Sequence, residues 1–263
     1  VAGIATINGG GLNVVGVITA TSYSGDGSSL SGVSPSVSAV ASGTLANGQT
    51  VILQSDGTVT GVASVSQSLG SAVVFESATT THISATFDSS NNKVVIAYLD
   101  AGNSNAGTAV VGTVSGTSIS FGTPVVYTAS IESTGGSIVY DSANEKVVIA
   151  YRDAGNSAYG TAIVGTVSGT SISFGSATVF ESASTGWISA GYDSTNSKVV
   201  IAYRDGGNSA YGTAIVGTVS GTSISFGSAT VFESADTRYC SVVYDSSNEK
   251  IVIAYDDYGN SEH

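Results

Sequence analysis

Four loops in this chain carry the pattern Asp-x-Gly-Asn-Ser, beginning at Asp100, Asp153, Asp205 and Asp257. Carboxylate and amide oxygens alternating at that spacing are the donors of a calcium loop. The same residues also make a tight turn, in which Asp and Asn bond the local backbone and Gly takes a positive φ. Each loop has one carboxylate and no bidentate Glu after it, whereas hard-cation sites gather several carboxylates. The turn is therefore the favoured reading, and neither a metal nor a cofactor is expected. A second motif, Asp-Ser-x-Asn-x-Lys, begins at Asp88, Asp141, Asp193 and Asp245. It reads as an Asx-type turn with an exposed Asp–Lys ion pair of small energetic worth.

The arginines are Arg152, Arg204 and Arg238. Three arginines can clamp a substrate carboxylate, as sialidase-like glycosidases require. Arg152 and Arg204, however, occupy equivalent positions of an internal repeat, and no Ser-x-Asp-x-Gly-x-x-Trp box is present. His82 and His263 have no convincing partner for nucleophilic or metal chemistry. Glu76, Glu181 and Glu233 are one repeated position. The residues argue against an enzyme.

The repeat that positions these groups is explicit. Tyr98, Tyr151, Tyr203 and Tyr255 are spaced by 53, 52 and 52 residues, and VGTVSGTSISFG recurs unchanged at 111–122, 164–175 and 216–227. Units run over about 82–127, 135–180 and 187–232, with 239–263 incomplete. Each reads as four strands. In the third, strand A is Ile188 to Tyr192, B is Lys198 to Arg204, C is Thr213 to Val219, and D runs from Ser223 towards Phe232 with a break at Gly227. Val199, Ile201 and Tyr203 face one side of strand B while Val200 and Ala202 face the other, so both faces are apolar and the sheet is covered on both sides. Four short antiparallel strands stacked face to face describe an all-β, β-propeller-like array of blades. Leu69 to Phe75 matches the end of a strand D, and either closes a ring with the fourth unit or belongs to a longer one.

Differences between near-identical copies locate a candidate surface. The connection into strand A carries His82, Gly135, Trp187 and Tyr239 in turn, with Arg238 beside the last. The B–C loop varies at Leu99, Arg152, Arg204 and Asp256, at Ala101, Ala154, Gly206 and Tyr258, and at Ala106, Tyr159, Tyr211 and His263. The C–D turn Ser-Gly-Thr-Ser is invariant. Strand direction alternates, so the D–A and B–C connections share one end. Variation there in Trp, Tyr, Arg and His, types enriched at binding hot spots, nominates Trp187, Tyr239, Arg238, Tyr159, Tyr211, Arg152, Arg204, His82 and Tyr258 as ligand anchors. Drift in exposed loops is the competing explanation.

Only 10% of residues are charged, and the net charge is −12. Such a molecule repels phosphate backbones and anionic membranes, which disfavours a nucleic-acid or membrane role. No apolar run reaches membrane-helix length. Cys240, the single cysteine, lies in a strand pattern and reads as a small buried hydrophobe.

Residues 1–66 differ from the repeat domain, 67–263. They are rich in Gly, Ser and Thr and hold few strands, including a hairpin over 43–59 with an Asp56-Gly57 turn. Isolated hairpins are marginal in water, so Val15, Val17 and Ile52 are expected to bury against other copies of the chain. The stretches GVITATSYSGDGSSLSGV (16–33) and ASGTLANGQTVILQSDGTV (41–59) resemble segments of tail-fibre and other virion structural proteins of marine cyanobacterial viruses. The resemblance implies a fibrous, trimeric protein with receptor-binding modules. Val1 without an initiator Met, and a final motif that stops at His263, suggest a piece of a longer polypeptide.

These readings converge on a virion fibre or surface-attachment protein, extracellular and on the virion surface. Its stem would oligomerise and contact other virion proteins, and its repeat head would bind a host receptor, above all a glycan. A secreted propeller glycosidase or lectin of a marine bacterium, and a purely structural decoration protein, are the alternatives.

Overall fold

The computed structural model describes residues 40–45, 50–61 and 69–260, apart from the side chains of 133–135. The chain divides into two compact units, Val1–Ser66 and Gln67–His263. In the first, β1 (Val40–Ala41) pairs in parallel with β3 (Thr58–Gly61), which pairs antiparallel with β2 (Val51–Leu53). The expected turn is present: Asp56 Oδ1 accepts from the Thr58 amide at 2.9 Å, and Gly57 takes φ 84°. Val51, Ile52 and Leu53 are exposed. Val15, Val17 and the 16–33 stretch lie outside the described residues.

The second unit is all antiparallel β. Unit 1 contains β4 (Thr80–Asp88), β5 (Lys93–Asp100), β6 (Ala106–Ser115), β7 (Ser118–Phe121) and β8 (Val125–Thr128); unit 2 begins with β9 (Ile131–Asp141), β10 (Lys146–Asp153), β11 (Tyr159–Ser168) and β12 (Ser171–Phe174). There follow β13 (Thr178–Asp193), β14 (Lys198–Asp205), β15 (Tyr211–Ser220), β16 (Ser223–Phe226), β17 (Thr230–Asp245) and β18 (Lys250–Asp257). The fourth strand of each unit is split, as expected at Gly227: β16 pairs with the far half of β15, and the start of β17 pairs with its near half.

The D–A connection is unbroken between units 2 and 3 and between units 3 and 4, whereas residues 129–130 interrupt it between units 1 and 2. β13 pairs with β11 up to Ser184 and with β14 from Thr185 onward, so one continuous strand leaves one sheet and founds the next. β17 does the same between units 3 and 4. The loop expected over Thr185–Trp187 is thus held extended by ladder pairing on both flanks.

Both faces of the unit 2 sheet are buried, because its neighbours stack on either side. Val147, Ile149 and Tyr151 of β10 pack against Val95, Ala97 and Val111 of unit 1, while Val148 and Ala150 of the same strand pack against Val199, Ile201 and Tyr203 of unit 3. Tyr98, Tyr151 and Tyr203 are fully buried. Each fully buried Val or Ile contributes about 1.5–3 kcal/mol, so this two-sided stripe is the chief source of cohesion. An aromatic from the preceding segment meets each tyrosine at a steep angle, edge to face for Phe75 on Tyr98 and Tyr127 on Tyr151 and tilted for Phe180 on Tyr203 and Phe232 on Tyr255, with centroids 5.1–5.2 Å apart. The repeated glutamate has its explanation here, since the hydroxyls of Tyr98, Tyr203 and Tyr255 donate to Glu76, Glu181 and Glu233.

Polar ties between units repeat as well. Ser84, Ser137 and Ser189 Oγ accept from the amides of Ile138, Ala190 and Val242, each one unit on. The invariant Ser-Gly-Thr-Ser turn belongs to this set. Gly122 and Gly175 lie so close to the carbonyl oxygens of Thr170 and Thr222 that a Cβ would overlap them.

The Asp-Ser-x-Asn-x-Lys turns correct the expected ion pair. Asp193 Oδ1 accepts from the amides of Thr195 and Asn196, and its Oδ2 accepts from the Asn196 side chain at 2.8 Å. The turn itself occupies both carboxylate oxygens, and Lys198 donates to Thr218 Oγ1 instead. Asp88 and Asp141 are buried, not exposed. Residues 69–76 run over unit 1 outside any strand, and among the described residues no strand pairing joins unit 1 to unit 4. No described helix is long and apolar enough to cross a membrane.

Candidate functional site

The register places the B–C loops and the bends into strand A at the same end: Thr185 lies opposite Asp205, and Thr237 opposite Asp257. At each bend the ladder slips. Trp187 and Ile188 stand against the single residue Tyr203, between the pairs Gly186–Arg204 and Ser189–Ala202. Tyr239 and Cys240 repeat this against Tyr255, and His82 and Ile83 against Tyr98. These are β-bulges, devices that re-aim a side chain. Their first residues carry left-handed backbones: His82 at φ 52°, Trp187 at 50° and Tyr239 at 50°. For bulky residues that conformation is strained by about 1–2 kcal/mol. It aims the rings out of the ladder, and Trp187 stacks on Tyr239 with centroids 4.2 Å apart and planes tilted by 43°. Tyr239 remains 63% exposed.

The arginines are engaged with protein carboxylates. Arg204 Nε donates to Asp236 Oδ1 at 2.6 Å, and Arg238 donates to Asp236 Oδ2 at 3.0 Å. Arg238 also lies over the Tyr258 ring, 3.6 Å from its centroid. The hydrogen bond from Arg204, then that from Arg238, holds the Asp236 carboxyl below the usual carboxylate range. Arg152 pairs with Glu132 at 2.8 Å and donates to Ser184 Oγ at 3.0 Å. Asp236, Glu132 and Ser184 escaped the sequence reading, although Ser184 and Asp236 are equivalent positions that differ and so carried the same signal.

Of the nine nominated residues, Trp187, Tyr239, Arg238, Arg204 and Tyr258 form two adjoining groups at the junction of units 3 and 4. Arg152 belongs to a separate group, with Glu132 of unit 2 and Ser184 at the passage from unit 2 to unit 3. Tyr159 and Tyr211 are half-buried at the starts of β11 and β15, paired with Asp153 and Asp205. His82 bonds Thr81 Oγ1 at 3.0 Å, two units from Trp187. His263 lies outside the described residues. A depression of ≈ 380 Å³ opens at the same end between units 1 and 2, lined by Thr81, Leu99, Asn105, Ile131 and Glu132.

Two of the Asp-x-Gly-Asn-Ser loops show the expected Asp turn, in which Asp153 Oδ1 accepts from Gly155 N and Asp205 Oδ1 from Gly207 N and Asn208 N, but the left-handed φ falls on Ser157–Ala158 and Ser209–Ala210 and not on the glycine. Among the described residues no three His, Cys, Asp or Glu side chains gather as metal ligands. Cys240 is half-buried, and desolvation pushes its thiol up to about 11, so it stays protonated at neutral pH. No protein-family model matches the chain, and no curated protein matches it.

Proposed function

We propose that this chain is a fibre-type or surface-attachment protein of a virion, in which a propeller-like array of blades displays a glycan-binding strip at the end formed by the bulges and B–C loops. The observation that carries this reading is the ring pair Trp187–Tyr239, held on strained bulges outside the buried cores between units. Strained residues persist where the surrounding fold over-determines them, and they cluster at binding sites. Rigid aromatic rings lose little entropy on binding and offer apolar faces to sugar rings. Arg204, Arg238 and Tyr258 beside them supply donors for hydroxyl groups.

The residues 1–66 act in this reading as an oligomeric stem, a trimer by the resemblance to fibre proteins, in contact with other virion proteins. Exposure of Val51, Ile52 and Leu53 on its small sheet supports burial against other copies. Engagement of all three guanidinium groups by Asp236 and Glu132 argues against a glycosidase that clamps a carboxylate.

The test is binding to a glycan array and to whole cells, comparing Trp187→Ala with Tyr239→Ala against the matched pair Ser168→Ala with Ser220→Ala. Loss of binding in the first pair and retention in the second is expected. Equal binding by both pairs would sink the proposal.

A further inference from the structure

The junction between units 1 and 2 is built differently from the two that follow it. Arg152 of unit 2 reaches forward to Ser184 Oγ at 3.0 Å, and Arg204 of unit 3 reaches Asp236 at 2.6 Å. In unit 1 the equivalent of these arginines is Leu99, and the residue in the place of Ser184 and Asp236 is Ser130. Leucine is shorter than arginine and carries no donor, and the depression of ≈ 380 Å³ opens here with both Leu99 and Ser130 on its wall. The rest of the wall departs from the repeat as well. Asn105 stands where units 2 and 3 have Ala158 and Ala210, its carbonyl accepting from Ile131 as theirs accept from Thr185 and Thr237. Glu132 follows Ile131 where Gly186 and Arg238 follow those threonines. Drift acts on exposed loop residues, whereas Leu99 and Ile131 are only 5% exposed. The flanking units each have all four strands, so the cavity lies inside the stack and not at its ends.

We infer that this pocket is a binding site for a single neutral sugar residue, separate from the Trp187–Tyr239 stack. Its volume falls within the range of about 300–1,000 Å³ for small-ligand pockets, which join apolar walls to a few placed polar groups. Leu99 and Ile131, both buried, offer an apolar floor to the C–H face of a pyranose ring. Thr81, Asn105 and Glu132 line the same cavity and are more open to solvent, with a hydroxyl, an amide and a carboxylate. Together these groups donate and accept, as ring hydroxyls require. The charge balance selects a neutral ligand. Glu132 is already paired with Arg152 at 2.8 Å, so a cation would have to displace a guanidinium. An anion would meet a carboxylate, in a chain whose net charge is −12. The site uses neither Trp187 nor Tyr239, and it stands if those rings bind nothing.

The experiment is saturation-transfer NMR on the full chain, with glucose, galactose and N-acetylglucosamine as probes and glucuronic acid as the charged comparison. Irradiation of protein methyl groups should saturate the ring C–H protons of at least one neutral sugar, and glucuronic acid should bind more weakly. Leu99→Arg should abolish the transfer by filling the pocket, its side chain seated on Ser130 as Arg152 is on Ser184. Asn105→Ala should lower the affinity by about three- to tenfold, the worth of one neutral hydrogen bond. Both substitutions install the residue that units 2 and 3 hold at the same position, so thermal unfolding close to that of wild type is expected to show that both variants fold. The double variant Trp187→Ala with Tyr239→Ala should bind the monosaccharide as wild type does. Transfer that survives Leu99→Arg at full strength, or that is lost with the two rings, would overturn the proposal. So would an affinity unchanged by Asn105→Ala, glucuronic acid bound as tightly as the neutral sugars, or no transfer to any of the three neutral probes.

Discussion

Trp187 and Tyr239 occupy the same bulge in successive units, both at φ 50°, and their rings stack at 4.2 Å. Neither ring completes the cores that hold the units together. The pair is a contact between units 3 and 4 that lies outside the buried cores joining units 1 to 3.

The strain has a measurable sign. Within a strand, Gly is ordinarily less stable than Ala by about 0.5–1 kcal/mol. At position 187 the order should reverse, with Trp187→Gly more stable than Trp187→Ala by about 1 kcal/mol, because only Gly adopts left-handed φ without cost. Urea denaturation of the two variants checks this. Equal stability would show that the bulge relaxes and that no strain is stored there.

A second comparison separates packing between units from local turn chemistry. A Cβ on Gly175 would overlap the Thr222 carbonyl, whereas at Gly227 it would meet only the Val216 carbonyl, 3.8 Å away. Gly175→Ala should therefore cost about 1–3 kcal/mol, and Gly227→Ala less than about 0.5 kcal/mol. Thermal unfolding of both variants, made in the same background, is the measurement. That outcome would assign the invariance of the Ser-Gly-Thr-Ser turn to its contact with the preceding unit and not to a ligand.

The stacking of the units was legible because a strand buried on both faces writes its pattern directly: Val199, Ile201 and Tyr203 alternate with Val200 and Ala202, and the structure sends these sets to opposite sides. The end of the sheet that carries variation followed from strand alternation alone. Two features were not legible. The run Thr185 to Trp187 reads as a connecting loop, and only its pairing with β14 makes it part of a strand. The partners of the arginines were also hidden, since Arg204 and Asp236 are 32 residues apart and meet only through the transfer of β17 from one sheet to the next. Likewise the Asp–Lys pair suggested by repetition lost to Asn196 and its equivalents, which sit inside the turn and reach the carboxylate first.

Alkaline pH should unfold the stack. Desolvation, followed by the nearby carboxylates, holds the buried phenols of Tyr98 and Tyr203 well above their ordinary value, and burial does the same for Tyr151. Folded-state values raised in this way mean that stability is fully present below the unfolded tyrosine pKa of about 10 and is lost as pH rises above it. Tyr203→Phe removes the hydrogen bond to Glu181 at 3.2 Å, at a cost of about 1 kcal/mol at neutral pH, yet it should make the protein less sensitive above pH about 10. Chemical denaturation at neutral and alkaline pH tests both signs in one pair of proteins.

Asp236 decides which groups at the tip are available to a ligand. Arg204 and Arg238 both donate to its carboxyl and keep it below the ordinary value of 3.8. A depressed folded-state pKa gives stability that is present above the unfolded value and lost as pH falls through the folded one. All three side chains are about a quarter to a third exposed, so solvent screening keeps the stabilisation near 1 kcal/mol or less. Asp236→Asn should lower stability by that amount at pH 7, and the difference from wild type should close as pH falls below about 4, the unfolded-state range for Asp. The same variant leaves two guanidinium groups without their counter-charge beside the Trp187–Tyr239 stack. If the stack recognises sugar rings and the arginines are held in reserve by Asp236, binding to acidic glycans should strengthen several-fold while binding to neutral glycans stays within about twofold, equivalent to 0.4 kcal/mol. Titration of the two glycan classes by calorimetry measures both. Weaker binding to both classes would mean that Asp236 itself touches the ligand, and the tip would then be a polar site organised around its carboxylate.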